Sequence, residues 1–410
     1  MACASVNTSM TTTLRFTSVA RLTLAGALCS LTLSGCLSPI TLTRAVTAYD
    51  EAVTDAVSKQ LLINIARAHR HQPIHFTGVS NIAATFDFRA NAGATPALTG
   101  EASKALLPVF GGSVAENPTI SIVPIEGEEF TKRLLTPFQE TKFTLLLRQR
   151  FDIDLLLRLM AQELRIKQDG REVSYRNTPA DKPGYEMFRR VVTHLSAIQD
   201  QNQLYAEPLV SQRTWTIPAN SVTAEGFQSL QKEYLVAYNQ KDNTYTLQKQ
   251  VTGRILITNY DPNTLSPDER AQLINMREDS HSNDVSFDIR PGHLGGEYPL
   301  KGDFRLRSFN TILNFLGRGL EEDPEYHVEK DPRTPPVHEN PVHTMELVLS
   351  DSSPSDADLS IKFHGKHYAV KTTGPLARWN REGFQLLYLL FQMTVSEVPR
   401  VGVPSITIAK

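Results

Sequence analysis

Cysteine is close to missing from this chain of 410 residues. There are three, Cys3, Cys29 and Cys36, and none follows residue 36. A disulfide framework, a Cys-ligated zinc site and a cysteine nucleophile are therefore excluded from the rest of the chain. An excess of one charge is missing too. Lys and Arg number 42 against 44 Asp and Glu, whereas a nucleic-acid binder needs a basic surface. Long apolar runs are absent. The stretch Leu22–Leu33 is shorter than the roughly 20 residues that cross a bilayer as a helix. Phosphate-loop, dinucleotide and Gly-x-Ser-x-Gly nucleophile patterns are not found either.

What is present begins at the N-terminus. The first 35 residues hold Arg15 and Arg21 and no acid, then the apolar stretch, then Ser34 and Gly35. A basic region, a short apolar region and small exit residues predict a secretory signal peptide. Leu33-Ser34-Gly35-Cys36 resembles the lipobox of bacterial lipoproteins. That resemblance implies a diacylglycerol on the Cys36 thiol, cleavage before Cys36 and acylation of the new N-terminus. Several chains on one residue give stable anchoring where a single chain gives marginal binding. Leu37, in place of Asp, implies the outer membrane, with the periplasmic face as the expected side. The mature chain would then run from Cys36 to Lys410 with 40 basic and 44 acidic residues.

The mature part is long enough for one or two domains. Helical spacing covers about Ala45 to His69, with Tyr49, Val53, Ala56, Val57, Leu61 and Ile65 on one side. Ile82, Ala84, Phe86 and Phe88 alternate with Ala83, Thr85, Asp87 and Arg89 and predict a strand over 74–90. Residues 90–117, rich in Ala, Gly, Ser and Thr, read as a loop or loose hairpin, and 117–124 as its partner strand. Helices are expected over 127–135, 143–164 (in two pieces broken near Phe151-Asp152), 183–204, 222–232, 266–277, 304–321 and 382–394. Strands are expected as a 233–250 hairpin and at 253–260, 345–349, 359–363, 367–371 and 405–409. Ser266 and Pro267 mark a helix start, and 279–303 reads as polar loop. Without a regular βαβ rhythm this predicts an α+β fold, mixed or antiparallel sheets with several packing helices. The expected organisation is a signal peptide (1–35), a lipidated tether (36–44), an N-terminal α+β region (45–210), a middle region (211–321), an acidic Pro-rich linker or loop (322–342) and a C-terminal segment (343–410).

Four stretches resemble a group of bacterial lipoproteins of unknown function: Ser58–Arg67 with Pro73–Ser80, Glu116–Phe130, Arg307–Leu316 and Phe384–Phe391. The resemblance implies a lipid-anchored protein facing the periplasm and carries over no functional residue except Cys36.

Candidate chemistry is sparse. His69, His71 and His75 cluster where helix gives way to strand, His338-Glu339 and His343 lie in the Pro-rich stretch, and His364 and His367 bracket a turn. None has the i, i+4 spacing around a Glu that a zinc-protease helix requires. The loop from Asp279 to Asp284 lacks the Gly and final Glu of a calcium loop. Ser229 and Lys232 have Ser-x-x-Lys spacing on an exposed helix, without the companion motifs. Asn263–Ala271 resembles the helix start of a peptidoglycan-binding domain in which an Arg, here Arg270, grips a wall-peptide carboxylate, but the spacings around Leu265-Ser266 differ by one residue. No catalytic residue, metal site or cofactor is expected. The expected role is a non-enzymatic envelope component that works through a protein partner and engages no nucleic acid, with 90–117 as contact surface; peptidoglycan binding or remodelling is the alternative.

Overall fold

The computed structural model describes residues 43–96, 106–168, 171–275, 281–355 and 357–395. The expected signal peptide, Cys36 and the strand expected at 405–409 lie outside these. The chain divides into two compact units, 1–59 and 60–410. Residues 43–59 of the first are helical.

The second unit opens with helical residues 60–69 (α1). Then come β1 (Phe76–Pro96), β2 (Leu106–Ile125), α2 (Glu128–Leu135), α3 (Glu140–Arg148), α4 (Ile153–Met160), β3 (Ala161–Gln168), β4 (Arg171–Arg176) and α5 (Lys182–Asp200). They are followed by β5 (Tyr205–Pro218), α6 (Ala224–Glu233), β6 (Leu235–Asn239), β7 (Thr244–Thr258), α7 (Pro267–Asn275), β8 (Asp284–Ile289), β9 (Leu300–Leu306) and α8 (Phe309–Arg318). The last elements are β10 (Leu347–Ser350), β11 (Leu359–Phe363), β12 (Lys366–Val370) and α9 (Ala377–Thr394). This is an α+β fold, with three sheets among the described residues. The largest has the order β4-β3-β9-β8-β7-β5, with β6 also on β7. It is antiparallel except where β7 meets β8. A three-stranded antiparallel sheet runs β10-β12-β11, and among the described residues β1 and β2 pair only with each other.

Local chemistry starts several helices. Asp152 caps α4 by accepting from the Asp154 amide at 2.7 Å. Ser308 caps α8 by accepting from Thr311 at 3.3 Å. Ser266 and Glu269 form a reciprocal capping box at α7, as the Ser-Pro start suggested.

Three boundaries depart from expectation. The helix expected over 143–164 breaks into α3 and α4 close to the expected point, at Arg150 with φ +66°, but from Ala161 the chain is already β3, because ladders to β9 and β4 take up its backbone. Phe304–Leu306 closes β9 and does not start α8. Within the presumed polar loop 279–303 lies β8, buried along its whole length. Val285, Phe287 and Ile289 fill the core. Its polar members are each compensated: Asp284 by Arg165 at 2.5 Å, Ser286 by Asp303, and Asp288 by Tyr260 and Arg290, both at 2.8 Å.

The core gathers α4, α5, β3, β8, β9, α8 and α9. Phe76, at the root of β1, is fully buried; its ring stacks on Phe391 at 4.4 Å and meets Phe309 and Phe130 at 6.3 and 6.2 Å. Close packing also brings α8 onto α1, where a Cβ on Gly317 would meet the His69 amide nitrogen at 2.6 Å.

Residues 322–342 contain no helix or strand, yet they are fastened along their length. Arg158 on α4 donates to the Pro341 and Val342 carbonyls at 2.9 and 2.6 Å and to Glu325 at 3.1 Å. Arg189 on α5 bonds Asn340 at 2.8 Å and Asp154 at 2.7 Å. The segment is a strap across α4 and α5 within one compact unit.

Candidate functional site

A polar cleft of about 300 Å³ lies between α8, the start of β3 and the turn after β4. Its floor is Arg307. This guanidinium is buried, stacks on Phe315 at 3.9 Å, and donates to the carbonyls of Arg158, Leu159 and Asn177 at 2.9, 3.1 and 2.8 Å. No carboxylate among the described residues pairs with it, and burial pushes its pKa down to about 9. A buried cation answered only by carbonyl dipoles is electrostatically under-compensated. Around it stand Arg176, Arg318, Asn314, Thr178 and the acids Glu163 and Asp323. Burial raises the Asp323 pKa above the usual carboxylate range. Chemically the cleft offers cationic and amide donors to a small anionic group. It holds no histidine, cysteine or serine.

The histidines singled out in the sequence fall elsewhere. His69, at the end of α1, is buried; Nδ1 lies 3.0 Å from the Tyr368 hydroxyl and Nε2 3.0 Å from Glu321. His71 reaches Glu322 at 2.8 Å, and Gln72 approaches His364 at 3.3 Å. The fold thus brings His69 and His364 to one edge, where α1, the end of α8 and β12 meet. Both ring nitrogens of His69 and Nε2 of His364 are engaged in these contacts. His75 is exposed, and its carbonyl accepts from Asn64 and Arg67. His338 pairs loosely with Glu339 at 3.8 Å. Among the described residues no group of three or more His, Cys, Asp or Glu side chains could hold a metal.

The remaining motifs fall on α6 and α7. The Ser229 hydroxyl donates to the Glu225 carbonyl at 3.2 Å. Arg270 lies on α7 behind the capping box, with its Nε enclosed and unbonded.

The second feature is the β1–β2 ribbon. It pairs Phe76–Pro96 with Leu106–Ile125, with one register shift between Val79 and Asn81. Among the described residues each strand has a neighbour on one side only. Ile120 and Ile122 on β2 are 49% and 66% exposed. The sequence suggested strands over 74–90 and 117–124 with 90–117 between them as a loop or loose hairpin; both strands continue into that stretch.

No family model matches the chain, and no curated protein or solved structure matches it either.

Proposed function

We propose that this protein is a lipid-anchored component of the bacterial envelope, held to the outer membrane through Cys36, facing the periplasm and acting through contacts with other proteins. The Leu33-Ser34-Gly35-Cys36 sequence behind a basic and apolar leader supports the anchor. The observation that carries the contact half is the β1–β2 ribbon, whose unpaired edges are standing templates for another chain. The test is metabolic labelling with a palmitate analogue, followed by crosslinking in living cells and mass spectrometry, with Cys36→Ser as control. Label on the wild type alone, with an envelope partner lost in the control, is the expected result. An unlabelled wild type removes the anchor, and a labelled protein without a partner removes the contact role.

A second reading, binding to peptidoglycan, draws on the cleft, because Arg307, Arg318 and Asn314 suit a wall-peptide carboxylate. Co-sedimentation with purified sacculi, lost in Arg318→Glu, is its expected signature. Equal sedimentation of wild type and variant, or none at all, removes it.

A further inference from the structure

Four side chains of α8, Thr311, Asn314, Phe315 and Arg318, line the polar cleft. Their spacing of three and four residues puts them on one stripe of the helix. The cleft is completed by Glu163 at the start of β3, by Arg176 and Asn177 at the end of β4, and by Arg307 and Asp323 on either side of α8.

Asn177 is the informative member. Its Nδ2 donates to the Arg158 and Ala161 carbonyls at 2.9 and 2.8 Å. Turning the amide over would set its oxygen against both carbonyls, so the orientation is fixed. Oδ1 faces away from them and accepts from no described residue, although Asn177 is only 1% exposed. A buried acceptor without a donor costs free energy, and a ligand N–H group offsets that cost. Arg307 sits directly against this residue, donating to the Asn177 carbonyl at 2.8 Å. Its three bonds, all to carbonyls, leave further N–H groups of the guanidinium unused. Arg176 and Asn314 have no side-chain partner among the described residues. Arg318 is 59% exposed and meets Glu322 only at 4.0 Å.

The acids complete the pattern. Glu163 already accepts from the Ser174 hydroxyl at 3.0 Å and has Arg165 at 3.6 Å. Asp323 accepts from the Ala180 amide, on the turn after β4 that also carries Asn177. It has no ion pair among the described residues. Two acceptors in want of a donor therefore lie towards this turn, while Asn314 and Arg318 offer donors from α8. The cleft holds three guanidinium groups against two carboxylates. The carboxylates disfavour a phosphate dianion, and the guanidinium groups disfavour a simple amine. A ligand that carries both charges itself answers both. The volume, about 300 Å³, is at the lower end of the roughly 300–1,000 Å³ of small-molecule sites, which suits a ligand of few atoms.

We propose that this cleft binds a small zwitterion, a free carboxylate and a free ammonium on one molecule, as in an amino acid or a dipeptide. The carboxylate is held by Arg307, Arg318 and Asn314, and the ammonium donates to Asn177 Oδ1 and Asp323. This assignment rests on the reading of the cleft as a carboxylate site and adds the ammonium to its ligand.

The experiment is titration calorimetry of full-length protein in mild detergent with four probes: alanine, alanyl-alanine, N-acetylalanine and inorganic phosphate. Alanine or alanyl-alanine should bind, and whichever is tighter tells a free amino acid from a peptide end. N-acetylalanine, which lacks the ammonium, should bind roughly ten-fold or more weakly than alanine, and phosphate more weakly still. Asp323→Asn should reduce alanine to the affinity of N-acetylalanine and leave N-acetylalanine unchanged. Arg318→Gln, at an exposed position, should weaken all the carboxylate probes alike. Wild-type thermal midpoints show that both variants are folded. No heat with alanine and alanyl-alanine, equal affinity for alanine and N-acetylalanine, or phosphate as the tightest probe overturns the proposal. So does unchanged alanine binding in both variants. The two readings separate: sedimentation with sacculi without zwitterion binding leaves the wall reading and sinks this one, while alanine binding without sedimentation does the reverse.

Discussion

Replacing Glu325 by Ala should cost about 4 kcal/mol of folding stability. Glu325 accepts from Arg158 and the Tyr185 hydroxyl, each at 3.1 Å, and from the Thr344 amide and hydroxyl at 2.6 and 2.8 Å. Its side chain is 8% exposed and that of Arg158 is not exposed at all. The substitution leaves Arg158 with Asp154 at 3.8 Å as its only carboxylate, and breaking a buried pair from one side typically costs about 3–5 kcal/mol. For a unit of this size, about 2 °C per kcal/mol applies, so the thermal midpoint should fall by about 8 °C. The assay is guanidinium denaturation of the Cys36→Ser chain, followed by tryptophan fluorescence, since Trp379 lies 5.8 Å from the Arg158 guanidinium. Burial alone would raise the Glu325 pKa, but Arg158, the Thr344 donors and Arg189 together hold it below the ordinary value. The stability it contributes is therefore full above about pH 4.3, the unfolded value, and is lost as pH falls through the lower folded value. The gap between wild type and variant should narrow in acid. Removing both charges, Arg158→Met with Glu325→Leu, should cost less than Glu325→Ala alone. A loss below about 1 kcal/mol, or a gap of the same size at pH 3 and pH 7, refutes the view that this pair fastens the strap.

Two further outcomes test the same packing. His194 is buried between Thr334 and the Gly295 carbonyl, at 3.1 and 3.0 Å, and burial pushes its pKa down to about 4. Because the unfolded imidazole titrates near 6.5, stability is full above that pH and declines towards pH 4 by up to about 3 kcal/mol; His194→Gln should flatten this part of the profile, and an unchanged slope would place its origin elsewhere. Gly317→Ala should destabilise by about 1–3 kcal/mol, since its Cβ would meet the backbone of α1; an unchanged denaturation midpoint would mean that α8 and α1 are not in close contact.

How much of the molecule was legible in the chain depends on range. The α7 start was readable because Ser266 and Glu269 cap each other across Pro267, within four positions. The β6–β7 hairpin was readable for the same reason, its turn lying between Asn239 and Thr244. The α+β class followed from the mixture of periods. His69 could be picked out as a candidate, but its partners Glu321 and Tyr368 lie 252 and 299 residues away, and nothing near His69 announces them. Arg307 carried no signal at all, because its environment is made of carbonyls from Arg158, Leu159 and Asn177.

Composition and local pattern by themselves settled that no thiol chemistry operates beyond residue 36, that helices and strands coexist, and where several of them start. Those features depend on residue type or on contacts a few positions apart. Tertiary structure alone decided that the polar strand β8 is a buried central strand, that Ala161 leaves a helix for a ladder, and that the Pro-rich strap is fastened by two buried arginines. Each of these is decided by partners brought from far along the chain. Desolvation decides the matter in every case: a buried aspartate or arginine is tolerable only where its counter-charge or acceptor is also buried, and no window of neighbouring sequence contains that partner.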